Sequence, residues 1–414
     1  MSESMSKLKF DAEFFKANRQ RLIAQLPADL PIAVTANGLL QRGADTTYPF
    51  TQDANFWYLT GINDPDITLV IDQQREFLIV PIREGSRVTF DGQIDKRLLA
   101  KTSGVSDIIN EASGWRRLDG LLARTKQVAT LAPAPSFIEQ YGLYANPARS
   151  RFVDRLKQHA GEELRLIDIR AQLASLRVVK QPVELEAIKQ AIDITLGTLK
   201  EVLAKPYGTY KYEYQVEADI SRGFRFRGAR GHAFEPIVAG GSRACTMHYI
   251  SNSTRLKNGE IVICDVGAEV SGYAADITRM LKTAKPTKRQ EDVFNAVKET
   301  QDYALSLLGP GVYLRGYEAK VAKFAGLKLK QLGVTKDLRQ ETIREYFPHA
   351  ASHFLGLNVH DVGDYTKPLQ PGSVITLEPG IYLPEEGIGV RIEDDILITA
   401  KGTEVLSSKL PAKL

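Results

Sequence analysis

The C-terminal half of the sequence carries two pairs of carboxylates whose spacing suits chemistry. The first pair is Asp265 and Asp276, within Ile261-Val-Ile-Cys-Asp-Val-Gly-Ala-Glu-Val-Ser-Gly-Tyr-Ala-Ala-Asp-Ile-Thr-Arg279. Ile261–Ile263 reads as a buried strand, and Val270-Ser271-Gly272 as a turn. A turn centred on Val270 and Ser271 sets Asp265 directly opposite Asp276, with Cβ atoms about 5 Å apart. Opposed like charges destabilise a sheet, and a divalent cation is the simplest compensator. Register decides the matter, because a turn with an odd number of residues sends the two side chains to opposite faces.

The second pair is Glu378 and Glu393. One arm is Ser373-Val-Ile-Thr-Leu-Glu-Pro-Gly-Ile-Tyr382, and the other is Gly389-Val-Arg-Ile-Glu-Asp-Asp-Ile-Leu-Ile398. Folding the loop Leu383-Pro-Glu-Glu-Gly387 about Glu385 and Glu386 makes Glu378 face Glu393. Arg391, Glu393 and Asp395 share a face by the period of two, so Arg391 can orient Glu393 or bind an anionic group. Between the pairs lies Phe347-Pro-His-Ala-Ala-Ser-His-Phe-Leu-Gly-Leu-Asn-Val-His-Asp-Val-Gly363. Of the 6 histidines only His159 lies outside residues 230–360; the others are His232, His248, His349, His353 and His360. Taken singly, a carboxylate in a hairpin is usually a solvated face residue, and His353 is as readily a hydrogen-bonded core histidine. Two Asp, two Glu and one His together suit two hard or borderline divalent ions. Such a pair activates water and polarises a carbonyl.

The elements that must position these residues are an alternation of helices and short strands. Pro182 fits the first turn of a long helix over about 182–204, where its missing N–H costs little. Further helices are expected over 211–227, 287–308 and 315–332, with strands resuming near 373. The first 150 residues read as a mixed α/β unit. A helix is expected over 10–26, and strands at Ile32–Thr35, Phe56–Thr60, Ile67–Ile71 and Phe77–Val80. The expected organisation is an N-terminal domain at 1–150, a linker helix region at 151–175 and a catalytic domain at 176–414.

Composition narrows the function classes. The chain has 414 residues, with Lys plus Arg at 54 against Asp plus Glu at 50, a net charge of +4. That balance argues against a strongly basic nucleic-acid binder. The 2 cysteines, Cys245 and Cys264, exclude a disulfide framework and point to a reducing, cytoplasmic setting. No apolar stretch follows Met1–Lys7, so no signal peptide is expected, nor any membrane partner. A P-loop, a G-x-G-x-x-G, an H-E-x-x-H and a C-x-x-C are all absent.

The C-terminal motifs resemble the pita-bread metallopeptidases, specifically the branch of aminopeptidase P and prolidase. The resemblance rests on Leu176-Arg-Val-Val-Lys-Gln-Pro-Val-Glu-Leu-Glu-Ala-Ile-Lys189, Gly231-His-Ala-Phe-Glu-Pro-Ile-Val-Ala239, Met247-His-Tyr249 and the carboxylate and histidine segments above. Tyr48-Pro-Phe-Thr-Gln-Asp-Ala-Asn-Phe-Trp-Tyr-Leu-Thr-Gly61 resembles the amino-terminal domain that accompanies bacterial aminopeptidase P. The resemblance implies an α+β fold, with a C-terminal pita-bread domain and a smaller N-terminal α/β domain. It implies five metal ligands at Asp265, Asp276, His353, Glu378 and Glu393, with Glu378 also handling the proton of the attacking water. It places His248, His360 and Arg391 in the catalytic machinery. His349 matches a further active-site histidine, and His232 joins it as a substrate-binding candidate. The implied cofactors are two divalent ions, Mn2+ first, with Co2+ or Zn2+ admitted by the ligand set. The implied substrates are peptides with proline in second position, and the implied assembly is a homo-oligomer, a dimer or a tetramer. A prolidase restricted to dipeptides and a non-catalytic binding protein on the same fold are the alternatives.

Overall fold

A computed structural model describes residues 10–72, 75–133, 142–161 and 163–414. The stretch read for a leader, residues 1–9, lies outside them. The chain forms two compact units that divide between Leu176 and Arg177.

The first unit is built on a six-stranded sheet. Its strands are β1 (Ile32–Thr35), β2 (Thr68–Asp72), β3 (Arg75–Val80), β4 (Asp107–Asn110), β5 (Gln127–Thr130) and β6 (Arg165–Asp168), in the order β4-β3-β2-β1-β5-β6. The antiparallel run β1-β2-β3 is flanked by parallel neighbours on both sides. Helix Glu111–Thr125 lays Trp115, Leu118 and Leu122 on Val70, Phe77 and Ile79 of the sheet. Two details differ from expectation here. Residues 151–175, read as a linker helix region, hold most of helix Ala148–Ala160, and they also hold the edge strand β6, which pairs with β5 in the sheet of this unit. Phe56–Thr60, read as a strand, lies in helix Ala54–Thr60. The Asp53 carboxylate accepts the N–H groups of Asn55 and Phe56 and starts that helix, and Gly61 ends it. Every side chain from Asn55 to Thr60 is buried, so no polar face remained to reveal the helical period.

The second unit holds both carboxylate pairs. Its strands are β7 (Gly231–His232), β8 (Ile237–Gly240), β9 (Ile261–Val266), β10 (Ala268–Val270), β11 (Tyr273–Ala274), β12 (Ile277–Lys282), β13 (Val374–Leu377), β14 (Gly380–Leu383), β15 (Ile388–Arg391), β16 (Asp394–Thr399) and β17 (Gly402–Val405). They make small antiparallel sheets, ordered β12-β9-β8, β11-β10-β7, β13-β16-β17 and β14-β15. Helices Lys288–Leu307 and Leu314–Gln331 pack Val293, Val297, Val321 and Leu329 into one core with Ile263, Ile375 and Val390 of the strands. Helix Pro182–Leu203 opens with proline and a reciprocal cap between Gln181 and Glu184. Its buried face runs through Ile188, Ala191, Ile192, Thr195, Leu199 and Val202, the spacing of an amphipathic helix.

Candidate active site

Three of the four carboxylates, Asp276, Glu378 and Glu393, sit where a ribbon interrupts its own ladder, and Asp265 lies within β9 beside the first gap. In the ribbon β13-β14-β15-β16, Leu377 pairs with Asp394 and Gly380 with Arg391. Glu378 and Glu393 therefore fall in the gap, facing one another as the loop-centred folding expects. In the ribbon β9-β10-β11-β12 the register differs from expectation by two residues. Val270 pairs with Tyr273, so the turn is Ser271-Gly272. Asp265 then faces Thr278, and Asp276 lies in the gap before β12. A two-residue slip keeps each side chain on its face, so the two aspartates still meet, diagonally rather than head-on. The gap depends on Gly267, where an added Cβ would stand 1.7 Å from the Ala275 carbonyl oxygen.

The two gaps and the histidine segment converge on one cavity of about 410 Å3. Asp265, Asp276, His353, Glu378 and Glu393 line it, together with His248, His349, His360 and Arg391. Phe234, Ile237, Met247, Ile250 and Val359 supply an apolar wall. Ligand-type atoms of Asp276, His353 and Glu393 all lie within 4.8 Å of one another. His353 Nε2 is 3.5 Å from Asp276 Oδ2 and 3.4 Å from Glu378 Oε1.

Polar contacts fix these groups. Arg391 donates to Asp265 Oδ2 through Nη2, to the Tyr382 hydroxyl at 2.9 Å and to Thr278 Oγ1 at 3.2 Å. Thr278 Oγ1 donates to Glu393 Oε2 at 2.7 Å. The Asp276 N–H donates to Asp395 Oδ2 at 3.2 Å. The Tyr382 hydroxyl lies 2.7 Å from His349 Nε2. His353 runs beside β13, giving its N–H to Thr376 Oγ1 and taking the Thr376 N–H on its carbonyl. The Glu318 carboxylate accepts the Ala351 N–H at 2.9 Å and steadies the same segment.

Electrostatics favour cations. Burial, and then the charges of Asp265, Asp395 and Glu378, push the Asp276 carboxyl well above the usual range. Burial and the charge of Asp276 do the same to Glu393. Glu378 is pushed up to about 7 by burial, against the opposing pull of His353 and Arg391. Burial and the charge of Arg391 hold His349 down to about 4. His360 is also held to about 4, by burial and by the neighbouring His353 and His248. Asp265 Oδ1, Asp276 Oδ1 and Glu393 Oε1 are buried with no hydrogen-bond partner among the described residues. Orphaned buried oxygens are costly unless something completes them. Hard oxygen donors with one imidazole therefore fit divalent metal ions.

One expected site residue lies elsewhere. His232 is on β7, its Nε2 2.7 Å from Ser221 Oγ and its ring packed on Phe224, and it does not line the cavity. Strand pairing with Ala268 holds it away. Sequence reasoning passed over Thr278, Tyr382 and Glu318. Thr278 was within reach, because it shares a face with Asp276 by the period of two.

Comparison with known proteins agrees with this geometry. The model of metallopeptidase family M24 matches residues 186–400, and that of the aminopeptidase P N-terminal domain matches residues 15–128. The chain is 32% identical to a Xaa-Pro aminopeptidase of Haemophilus influenzae, over 98% of this chain and 96% of that protein. It is 30% identical to a Xaa-Pro aminopeptidase of Escherichia coli, over 96% and 95%. A solved structure of E. coli aminopeptidase P with the inhibitor Pro-Leu superposes with a TM-score of 0.85 at 29% identity, covering 97% of this chain and 96% of that one.

Proposed function

The chain belongs to metallopeptidase family M24, and from that premise we propose that it is a Xaa-Pro aminopeptidase, releasing the first residue of peptides with proline in second position. Its domains are accordingly an N-terminal aminopeptidase-P-type α/β domain and a C-terminal pita-bread domain. The observation that carries the reading is the convergence of five ligand-type side chains, three of them with orphaned buried oxygens, beside an apolar wall.

Asp265, Asp276, His353, Glu378 and Glu393 would hold two divalent ions, with Mn2+ the proposed occupant. Bound there, the ions supply an acidified water and a Lewis acid for the scissile carbonyl. Glu378, whose Oε1 lies 3.4 Å from His353 Nε2 in the cavity, takes the proton of the attacking water and returns it to the leaving prolyl nitrogen. His248 and His360, at the cavity, donate to the carbonyl oxygen as its charge develops. His349 is tied to Tyr382 and lies 3.6 Å from Glu378, so it steadies that carboxylate and the substrate beside it. Arg391 neutralises Asp265 and fixes its direction. A prolyl amide brings no N–H to the site, so the apolar wall can take the ring without leaving a donor unsatisfied. No helix among the described residues is long and apolar enough to cross a membrane. A cytoplasmic location and a homo-oligomeric state, dimer or tetramer, complete the proposal.

Product analysis tests it. Metal-stripped protein reloaded with Mn2+ is offered Gly-Pro, Arg-Pro-Pro and longer analogues, and the products are read by mass spectrometry. Release of the first residue from the longer peptides is the expected result. Cleavage of the dipeptide alone would make it a prolidase, and no cleavage of either would overturn the peptidase reading.

A further inference from the structure

Two segments have no part in the chemistry above: Arg177-Val-Val-Lys-Gln-Pro-Val-Glu184, and Asp361, which directly follows His360. In the structure they meet. Asp361 Oδ1 accepts from Arg177 Nη2, and Lys180 Nζ lies 3.4 Å from Asp361 Oδ2. Lys180 Nζ also donates to the Arg177 carbonyl at 2.8 Å. Arg177, Lys180 and Asp361 are only 2%, 5% and 6% exposed. Close by, the buried Glu184 accepts the Tyr273 hydroxyl at 2.7 Å, and its charge favours that of Lys180. Two cations and two carboxylates thus balance out of contact with water. Apolar side chains would often be at least as stable in such a place, so the cluster calls for a reason other than stability.

The histidine loop gives that reason. The Asp361 N–H donates to the Phe354 carbonyl at 2.8 Å, closing residues 354–361 into a loop. Inside it, the Gly356 carbonyl accepts the Ala274 N–H at 2.9 Å, which ties the loop to β11. A Cβ on Gly356 would stand 2.1 Å from Asp361 Oδ2 and 3.0 Å from Lys180 Nζ, so the carboxylate is packed against the loop backbone. At the loop base the rings of His353 and His360 meet edge to face, their centroids 4.2 Å apart. His353 is held independently by Thr376.

We propose that Asp361, gripped by Arg177 and Lys180, is a positioning residue that sets His360 at the cavity. This rests on the reading of His360 as a substrate contact. Asp361→Asn would leave two buried cations facing a neutral group and is a poor probe, because a loss of folding would mask a loss of positioning. Lys180→Met keeps the Arg177–Asp361 pair and removes one grip. Gly356→Ala keeps every charge and crowds the carboxylate.

Both variants should lose about 10- to 100-fold in kcat on Arg-Pro-Pro, the scale of a small misplacement of a catalytic group. Their Mn2+ affinity, measured by calorimetry, should not change. In the His360→Ala background, Lys180→Met should cost nothing further, because the cluster acts through that ring. A second readout needs no turnover. In the Zn2+-loaded full chain carrying 13C-labelled histidine, the resonance missing from His360→Gln is that of His360. It should move in Lys180→Met and in Gly356→Ala, with those of His248 and His349 unmoved. An unmoved His360 resonance, multiplying losses in the double variant, or a fall in Mn2+ affinity would overturn the proposal. If the unaltered protein cleaved no Xaa-Pro peptide, the proposed function would fall, and the spectrum alone would decide the positioning role.

Discussion

In the ribbon β9–β12 the chain reverses through Ser271 and Gly272, with φ of 51° and 83°; in the ribbon β13–β16 it reverses through the short 3-10 turn Pro384–Glu386. Both ribbons break their ladders where a carboxylate must point away from a partner strand. Their support is reciprocal. Arg391 of the second ribbon neutralises Asp265 of the first, and Asp395 holds the backbone of Asp276. In return Thr278 of the first ribbon donates to Glu393 of the second. Neither ribbon could hold its carboxylates in place alone. Groups behind the ligands orient them and tune their affinity, and here each ribbon supplies those groups to the other.

The largest expected effect separates the carboxylate that moves a proton from those that only bind. Glu378→Gln keeps the shape and one oxygen but cannot take a proton. Its kcat should fall about 10²- to 10⁴-fold, the usual worth of a positioned acid–base group. Steady-state turnover on Arg-Pro-Pro, with circular dichroism as the control for fold, reads it. Near-normal turnover would remove Glu378 from proton transfer and leave the two ribbons equivalent.

Next comes the cross-ribbon pair. Arg391→Met leaves Asp265 buried without its cation. Breaking a buried pair by removing one partner costs about 3–5 kcal/mol. Urea denaturation of the metal-free protein should show a loss of that size, and excess Mn2+ should recover part of it. A loss within error would mean that the first ribbon does not depend on the second.

The carboxylates also set a pH dependence whose sign can be worked out. Glu378 and Glu318 are pushed up to about 7, and Asp276 and Glu393 well up, chiefly by burial. An acid whose folded pKa is raised stabilises the fold at low pH and loses that contribution as pH climbs through the folded value. His349 and His360, held to about 4, act in reverse: they favour folding increasingly up to the unfolded histidine value. Their contribution is half-saturated at about pH 6.5 and nearly complete by about pH 7.5, so across that window it offsets only part of the opposite slope set by the four carboxylates. Metal-free protein should therefore melt at lower temperature at about pH 7.5 than at about pH 6.5, and saturating Mn2+ should shrink the difference to the share of Glu318, which is not among the proposed ligands. Calorimetry at the two pH values decides it; a flat metal-free profile would show the carboxylates already ionised.

The same comparison shows how far the sequence could be read. Helix Pro182–Leu203 was legible because its start signal and its apolar period agree. The register of the second ribbon followed from the placement of its loop. The first ribbon missed by two residues for a reason open to inspection. A two-residue hairpin turn with both φ positive favours Ser-Gly over Val-Ser, because a β-branched residue is strained there. Parity survived the slip, so the aspartates were paired correctly with the wrong partner geometry. His232, which had no spacing argument behind it, stands off the cavity on β7, and its neighbours in the sequence do not say which side of that strand faces the site. The contacts Arg391–Asp265 and Arg177–Asp361 span 126 and 184 residues, and no local pattern encodes them.

The smallest expected effect bears on the turn itself. Gly272 has φ of 83°, and a Cβ there would also stand 3.3 Å from Leu357 Cδ2. Gly272→Val puts a β-branched residue in the left-handed region, at a cost of about 1–2 kcal/mol. The hairpin has two ways to respond. It can keep the Ser271–Gly272 turn and bear the strain, in which case the melting temperature falls and Mn2+ affinity stays the same. Alternatively it can slip to a turn at Val270–Ser271, which would set Asp276 opposite Asp265 and away from His353. That slip would place Val270 in the left-handed region, so it exchanges one strained β-branched residue for another and gains nothing. The fall in melting temperature with unchanged Mn2+ affinity is therefore the expected result. A fall in Mn2+ affinity alongside it would show that the turn residues, rather than the packing around Asp276, hold the first ribbon in register.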